Sequence, residues 1–154
     1  MRNWGLLALL ALPCIVASVP AAPAKKKVAS KAKAVKWSSS YKSALAEAKR
    51  TGKPVFVDVF TTWCGPCKYL DEVTYKDPKF VAESRNWVMV KVDAEKNQEN
   101  IALAKKFKVQ GYPTMIFLKS NGKEADRAVG GYPASMLVPL MVKASEKALG
   151  GKSI

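Results

Sequence analysis

Between residues 54 and 129 short β-branched and aromatic runs alternate with longer stretches in which apolar residues recur at helical spacing. The run "PVFVDVFT", 54–61, is apolar on both faces, which predicts a central buried strand, with Pro54 at its very start, where no ladder donor is needed. Asp58 alone breaks that run. "WVMVKVD", 87–93, and "TMIFLK", 114–119, predict two further strands, and Asn121-Gly122 predicts a hairpin into a fourth over 124–129.

Helices fill the intervals. Serines 38–40 can cap a helix over 40–51 that stops at Gly52. "KYLDEVTY" has helical character, and Asp77, with Pro78 in the first turn, restarts a helix in "DPKFVAESR". Asn97 opens "NQENIALAKKF", where Ile101, Ala104 and Phe107 share a face. "PASMLVPLMVKASEKALG" closes the chain as a helix expected to bend at Pro139. A strand–helix–strand start makes a parallel pair and the hairpin an antiparallel edge. The expected fold is therefore α/β, a mixed four-stranded sheet flanked by helices on both faces. No internal repeat or second domain is visible.

Composition narrows the chemistry. Of 154 residues, 49% are hydrophobic and 25% charged, enough for one proper core. There is no histidine, which removes Cys/His dyads, Ser/His/Asp triads, imidazole bases and most zinc or haem ligation. Arg2, the almost wholly apolar stretch 4–19 and the small residues of "ASVPAAPA" predict a cleaved export signal over 1–24. About 16 apolar residues interrupted by Pro13 are too few to span a bilayer as a helix, so no stable membrane insertion is expected. A lipoprotein signal would acylate Cys14, but Pro13 stands just before it, where such signals carry a small residue. The cleaved signal is the favoured expectation, with the mature chain exported or periplasmic.

Charge is uneven as well. Residues 25–36, "KKKVASKAKAVK", hold six lysines and no acid, whereas 37–154 hold 19 basic and 12 acidic residues. The lysine stretch predicts a disordered linker over 25–37, ahead of a single domain at 38–154. An exported chain seldom meets nucleic acid, so a solvated tether is favoured over a nucleic-acid or membrane-binding tail.

Removing the signal removes Cys14 and leaves Cys64 and Cys67, separated only by Gly65 and Pro66. The strand entering "WCGPC" puts Cys64 at a helix N-terminus, where unpaired N–H groups and the helix dipole favour a thiolate. Cys67 lies one helical turn on, within reach of Cys64. The ring such a bridge closes is small and constrains the unfolded chain little, which makes it poor scaffolding and good redox chemistry. A metal site needs about four ligands, and two cysteines without histidine do not supply them, so no metal is expected. No flavin or nicotinamide motif is present either, so the only redox centre expected is the Cys64/Cys67 pair itself.

With "VDVFTTWCGPCK", an acid six residues before the first cysteine, "GYPT" 46 residues after Cys67 and Gly130 beyond the last strand, the chain over 40–149 resembles the thioredoxin-like disulfide oxidoreductases. "TYKDPKF" after the active-site helix is more similar to small periplasmic relatives of the C-terminal domain of the transmembrane disulfide reductase than to cytosolic thioredoxin. The resemblance implies the thioredoxin fold, Cys64 as an exposed nucleophile and Cys67 as the buried resolving thiol. It implies that Asp58 is a buried carboxylate of raised pKa that takes the proton of Cys67. Pro113 would be a cis-proline opposite the cysteines, beside which an extended substrate pairs with backbone. Trp63 and Tyr112 would form an apolar rim, and Gly65, Pro66, Thr114 and Gly130 would complete the substrate-facing surface.

Two positions depart from the family. Phe60 stands where a second tryptophan is common, and Met89 replaces the lysine that usually neighbours the buried acid, with Lys91 two residues on. Gly-Pro between the cysteines resembles the reducing members. The expected function is thus an exported monomeric reductase of protein disulfides, drawing electrons from a membrane disulfide reductase. Alternatives are an apocytochrome c thiol reductase, whose acidic insertion is absent here, a disulfide oxidant or isomerase, and a binding module in which redox chemistry is incidental.

Overall fold

A computed structural model describes residues 34–150. The expected signal, Cys14 and residues 25–33 of the lysine stretch lie outside the described residues. Five strands form one sheet in the order β1-β3-β2-β4-β5: β1 (Trp37–Ser38), β2 (Val55–Phe60), β3 (Val88–Asp93), β4 (Thr114–Leu118) and β5 (Glu124–Val129). β1, β3 and β2 run parallel, and β4 and β5 are antiparallel, which is the mixed sheet expected, with one strand more. The added strand is two residues long, too short for a periodic pattern to reveal. It is held by pairing with Met89 and Val90 and by the Trp37 ring against Tyr75 and Phe56, with centroids at 5.2 and 6.4 Å.

Alternation along β2 divides the core between the two faces. Val55, Val57 and Val59 meet Val88, Val90, Val92, Ile116 and Leu118 beneath α1 (Tyr41–Thr51) and α4 (Gln98–Lys106). On the opposite face Phe56 joins Met89, Met115 and Phe117 beneath α2 (Gly65–Glu72), α3 (Pro78–Glu83) and α5 (Ala134–Ala148). Phe56 is the centre of an aromatic cluster, edge-on to Phe80 at 5.9 Å and Phe117 at 5.7 Å. Asp58 sits two residues along β2, so it points to this aromatic face, under α2.

The caps follow the sequence. Ser40 closes a capping box with Ser43, Gly52 ends α1 in the left-handed region at φ 75°, and Asp77 accepts the Lys79 N–H at 2.7 Å to start α3. Gly122, at φ 84°, turns the β4–β5 hairpin. α5 is one helix that includes Pro139.

Candidate functional site: the Cys64–Cys67 pair above Asp58

β2 ends at Phe60, and a short turn delivers Cys64 as the N-cap of α2, with Pro66 in the first turn, where its missing N–H costs no hydrogen bond. Cys64 and Cys67 are joined in a disulfide with Cα atoms 5.3 Å apart, a spacing ordinary for such a bond. The backbone N–H of Cys67 also points at Cys64 Sγ, 3.2 Å away. A thiolate formed there on reduction would receive an N–H donor and face the positive end of the helix.

Exposure differs from expectation. Cys64 is only 3% exposed, the same as Cys67, not the open sulfur that the resemblance implied. Accessible surface lies around the pair: Gly65 and Pro66 are exposed, and Trp63 is 65% exposed. The Trp63 ring stands edge-on to Tyr112 at 5.9 Å. Its indole N–H donates to Glu95 Oε2 at 2.9 Å, an anchor on the β3–α4 loop.

The Tyr112–Pro113 bond is cis. Pro113 O accepts the N–H of Gly130 at 2.9 Å, tying the end of β5 to the proline, and Gly130 takes φ 110°, a region that favours glycine. Thr114 departs from the substrate-facing role expected of it. Its side chain is buried, and its hydroxyl donates to Gly111 O at 2.7 Å, so it braces the proline loop from within.

Gly131, which sequence reasoning passed over, touches the active-site helix. A Cβ built there would lie 3.2 Å from both Pro66 O and Pro66 Cβ. Gly131→Val is therefore expected to push on the first turn of α2 and to cost about 1–3 kcal/mol by overpacking. Urea denaturation of the oxidised protein checks this; an unchanged midpoint would show that Pro66 yields freely.

On the aromatic face of β2, Asp58 is 1% exposed. Burial raises its pKa to about 7; Lys91 and Tyr75 oppose that rise, and Asp71 adds to it. The lysine comes from an unexpected position. Met89, the residue at the family's lysine position, pairs with Phe56 and is buried, while Lys91 is the register partner of Asp58. Lys91 Nζ lies 3.9 Å from Asp58 Oδ2 and also bonds Asp71 on α2. Its ammonium sits 4.5 Å from the Phe60 ring centroid, so the phenylalanine that replaces a tryptophan serves as the floor for this cation.

Asp71 and Tyr75, like Gly131, were missed. A local signal existed for both: Asp71 is four residues after Cys67 and Tyr75 four after Asp71, so all three project from α2 and the turn that follows toward one side. A cavity of about 390 Å³ lined by Lys53, Arg85 and Val88 lies near the start of β2 and includes neither cysteine.

A disulfide between two cysteines three positions apart at a helix N-terminus, in a sheet that also buries a carboxylate, defines a thiol:disulfide oxidoreductase. A family model described as a thioredoxin-like domain matches residues 41–145, and the chain belongs to that family. It is 39% identical over 85 residues to the thiol:disulfide interchange protein DsbD of Campylobacter jejuni, covering 54% of this chain and 15% of that protein. It is 32% identical over 141 residues to thioredoxin Y, chloroplastic, of Oryza sativa subsp. japonica, covering 90% of this chain and 79% of that one. The Neisseria meningitidis DsbD C-terminal domain in the oxidised form superposes with a TM-score of 0.58 at 22% identity, over 67% of this chain and 90% of that one, a likeness of fold. The chain thus spans only 15% of the length of the Campylobacter DsbD, in a single segment. Among the described residues no helix is long and apolar enough to cross a membrane.

Proposed function

We propose that the chain is an exported protein-disulfide reductase that works by thiol exchange alone. The observation that carries this reading is the Cys64–Cys67 disulfide at the N-terminus of α2. In the reduced protein the Cys64 thiolate attacks one sulfur of a substrate disulfide. A Cys64–substrate bond forms, and the other substrate sulfur leaves as a thiolate.

Cys67 then gives its proton to Asp58 and attacks Cys64 Sγ. The second substrate thiolate is released, the protein pair is oxidised, and two electrons have passed to the substrate. Trp63, Tyr112, Gly65, Pro66 and the backbone beside Pro113 and Gly130 present the surface on which an extended substrate segment rests. No bound cofactor or metal takes part. A membrane disulfide reductase restores the dithiol, a role that similarity to part of an interchange protein supports. Arg2 and the apolar stretch 4–19, read as a leader, support export, and the reading treats the chain as a monomer.

The reduction potential of the pair tests the direction. Equilibration of the full mature chain against glutathione or dithiothreitol, followed by Trp63 fluorescence, is expected to give a value near that of thioredoxin, about −270 mV. A value near −120 mV, that of a strong periplasmic oxidant, would make the chain a disulfide donor instead.

A further inference from the structure

Charge is unevenly placed on the folded chain. Parallel pairing sets the starts of β1, β3 and β2 at one end of the sheet, and β4 ends beside them, with Leu118 opposite Val55. Four stretches of chain meet at that end: 34–36 before β1, 49–54 before β2, 84–87 before β3, and the 119–123 turn between β4 and β5. Together they hold seven basic residues and no acid: Lys36, then Lys49, Arg50 and Lys53, then Arg85, then Lys119 and Lys123. Lys119 is half-buried and the others are exposed. Lys36, Lys49, Arg50, Lys119 and Lys123 enter no ion pair among the described residues. Lys53 donates to a neutral group, the Arg85 carbonyl, at 2.7 Å, which leaves its charge uncancelled. Of the bordering acids, Glu47 lines a cavity with Lys36 and Lys53, Glu83 accepts from Asn86 and Trp87, and Glu124 is bound to Arg127.

The redox end is different. Cys64 follows the far end of β2, six residues and about 20 Å away, and the residues around it mix Lys68, Lys91 and Lys96 with Asp71, Asp93 and Glu95. At the basic end the cations spread from β1 at one edge of the sheet to the β4–β5 turn, over roughly 15–20 Å. Such a spread does not converge on a point that one phosphate could fill; it matches a flat field of negative charge. The chain that enters β1 joins the fold at this same end and adds five more lysines over 25–33, again without an acid. Alone, that stretch reads as a solvated tether. Joined to a fixed platform of like sign, it extends one continuous cationic surface.

We infer that the end of the sheet opposite the cysteines is a docking surface for an anionic phospholipid bilayer, on which the chain lies peripherally with its disulfide facing the aqueous side. Each lysine or arginine near such a surface is drawn to it through the negative surface potential, and the attraction fades within a Debye length, about 10 Å at 0.1 M salt. The choice of a bilayer over a nucleic-acid backbone rests on the proposed export of the chain. The existence of the surface does not.

The test is cosedimentation of the mature chain, residues 25–154, with vesicles of phosphatidylglycerol and phosphatidylcholine in equal parts, against vesicles of phosphatidylcholine alone. Binding is expected to the first only, and to fall steeply with added salt. Combining Lys49→Gln, Arg50→Gln and Lys123→Gln should weaken it by at least about tenfold. The same charge removed elsewhere, by Lys76→Gln, Lys79→Gln and Lys96→Gln, should weaken it by less than about threefold, since those positions lie off the docking surface. Trp63 is the exposed tryptophan of the described residues, so acrylamide quenching reports the orientation and should be the same with and without vesicles.

Equal loss in the two triple variants, equal binding to neutral vesicles, or protection of Trp63 on binding overturns the inference. Tighter binding to duplex DNA than to anionic vesicles at the same salt also overturns it, and removes the export reading with it. If the vesicles bind as stated while the chain fails to reduce insulin, the docking surface stands and the reductase reading falls.

Discussion

Replacing Cys64 by serine is expected to abolish disulfide reduction, by at least about a thousandfold, while leaving the fold intact. A serine hydroxyl at the N-cap accepts the Cys67 N–H as the sulfur does, so α2 keeps its cap. What it cannot do is form a thiolate near neutral pH. Cys67→Ser should behave differently, because attack by Cys64 does not need the second sulfur. That variant should accumulate a covalent Cys64–substrate adduct in one-to-one ratio, visible by mass spectrometry and reversed by dithiothreitol. Reduction of insulin by Cys64→Ser at the unaltered rate would sink the mechanism. Adducts that form through Cys67 would exchange the roles of the two sulfurs, a result their equal burial makes worth seeking.

Asp58→Asn should stabilise the oxidised protein, and increasingly so as pH rises. The folded-state pKa of Asp58, about 7, lies above its unfolded value of about 3.9, so folding favours the protonated form. That contribution is fully present below pH ~4 and is lost as pH climbs through ~7. A shift of about three units corresponds to about 4 kcal/mol over this window. Asparagine has no such proton to lose. The stability difference between the variant and the parent protein should therefore grow by about 4 kcal/mol between pH 4 and pH 8, read by urea denaturation at both ends; parallel stabilities would show that Asp58 is not charged and buried at pH 8. The same substitution should slow resolution of the mixed disulfide by about 10²-fold near neutrality, because Cys67 loses its proton acceptor. Stability and turnover would thus move in opposite directions, as they do where a strained charge is kept for chemistry.

This tension explains the neighbourhood of Asp58. Isolated among Phe56, Met115 and Phe80, the carboxylate would be pushed further up and would stay protonated at neutral pH. Lys91 opposes that push, and Asp71 restrains Lys91 by holding its ammonium from the solvent side. On the proposed role of Asp58, this balance of charges from β2, β3 and α2 would leave the acid near the pH at which it can both take and return a proton.

The chain's own pattern determined much of this. Two-faced apolar runs at 54–61, 87–93 and 114–119 marked the central strands, and Asp58 stood out as the one acid in a stretch buried on both sides. The cysteine pair at a strand–helix junction carried its helix-cap chemistry in its spacing alone. These features are local, set by dihedral preference and periodicity within a few residues. Tertiary structure decided what lies across the sheet and around the sulfurs. It set the parallel register that puts Lys91, not Met89, opposite Asp58, and it brought Gly131 against Pro66 and Glu95 to the Trp63 indole. It also hid Thr114 and gave Trp37–Ser38 a place at the edge of β3. Such pairings join residues about 30 to 65 positions apart. Parallel register depends on how whole apolar faces settle against each other, and sequence spacing cannot measure that.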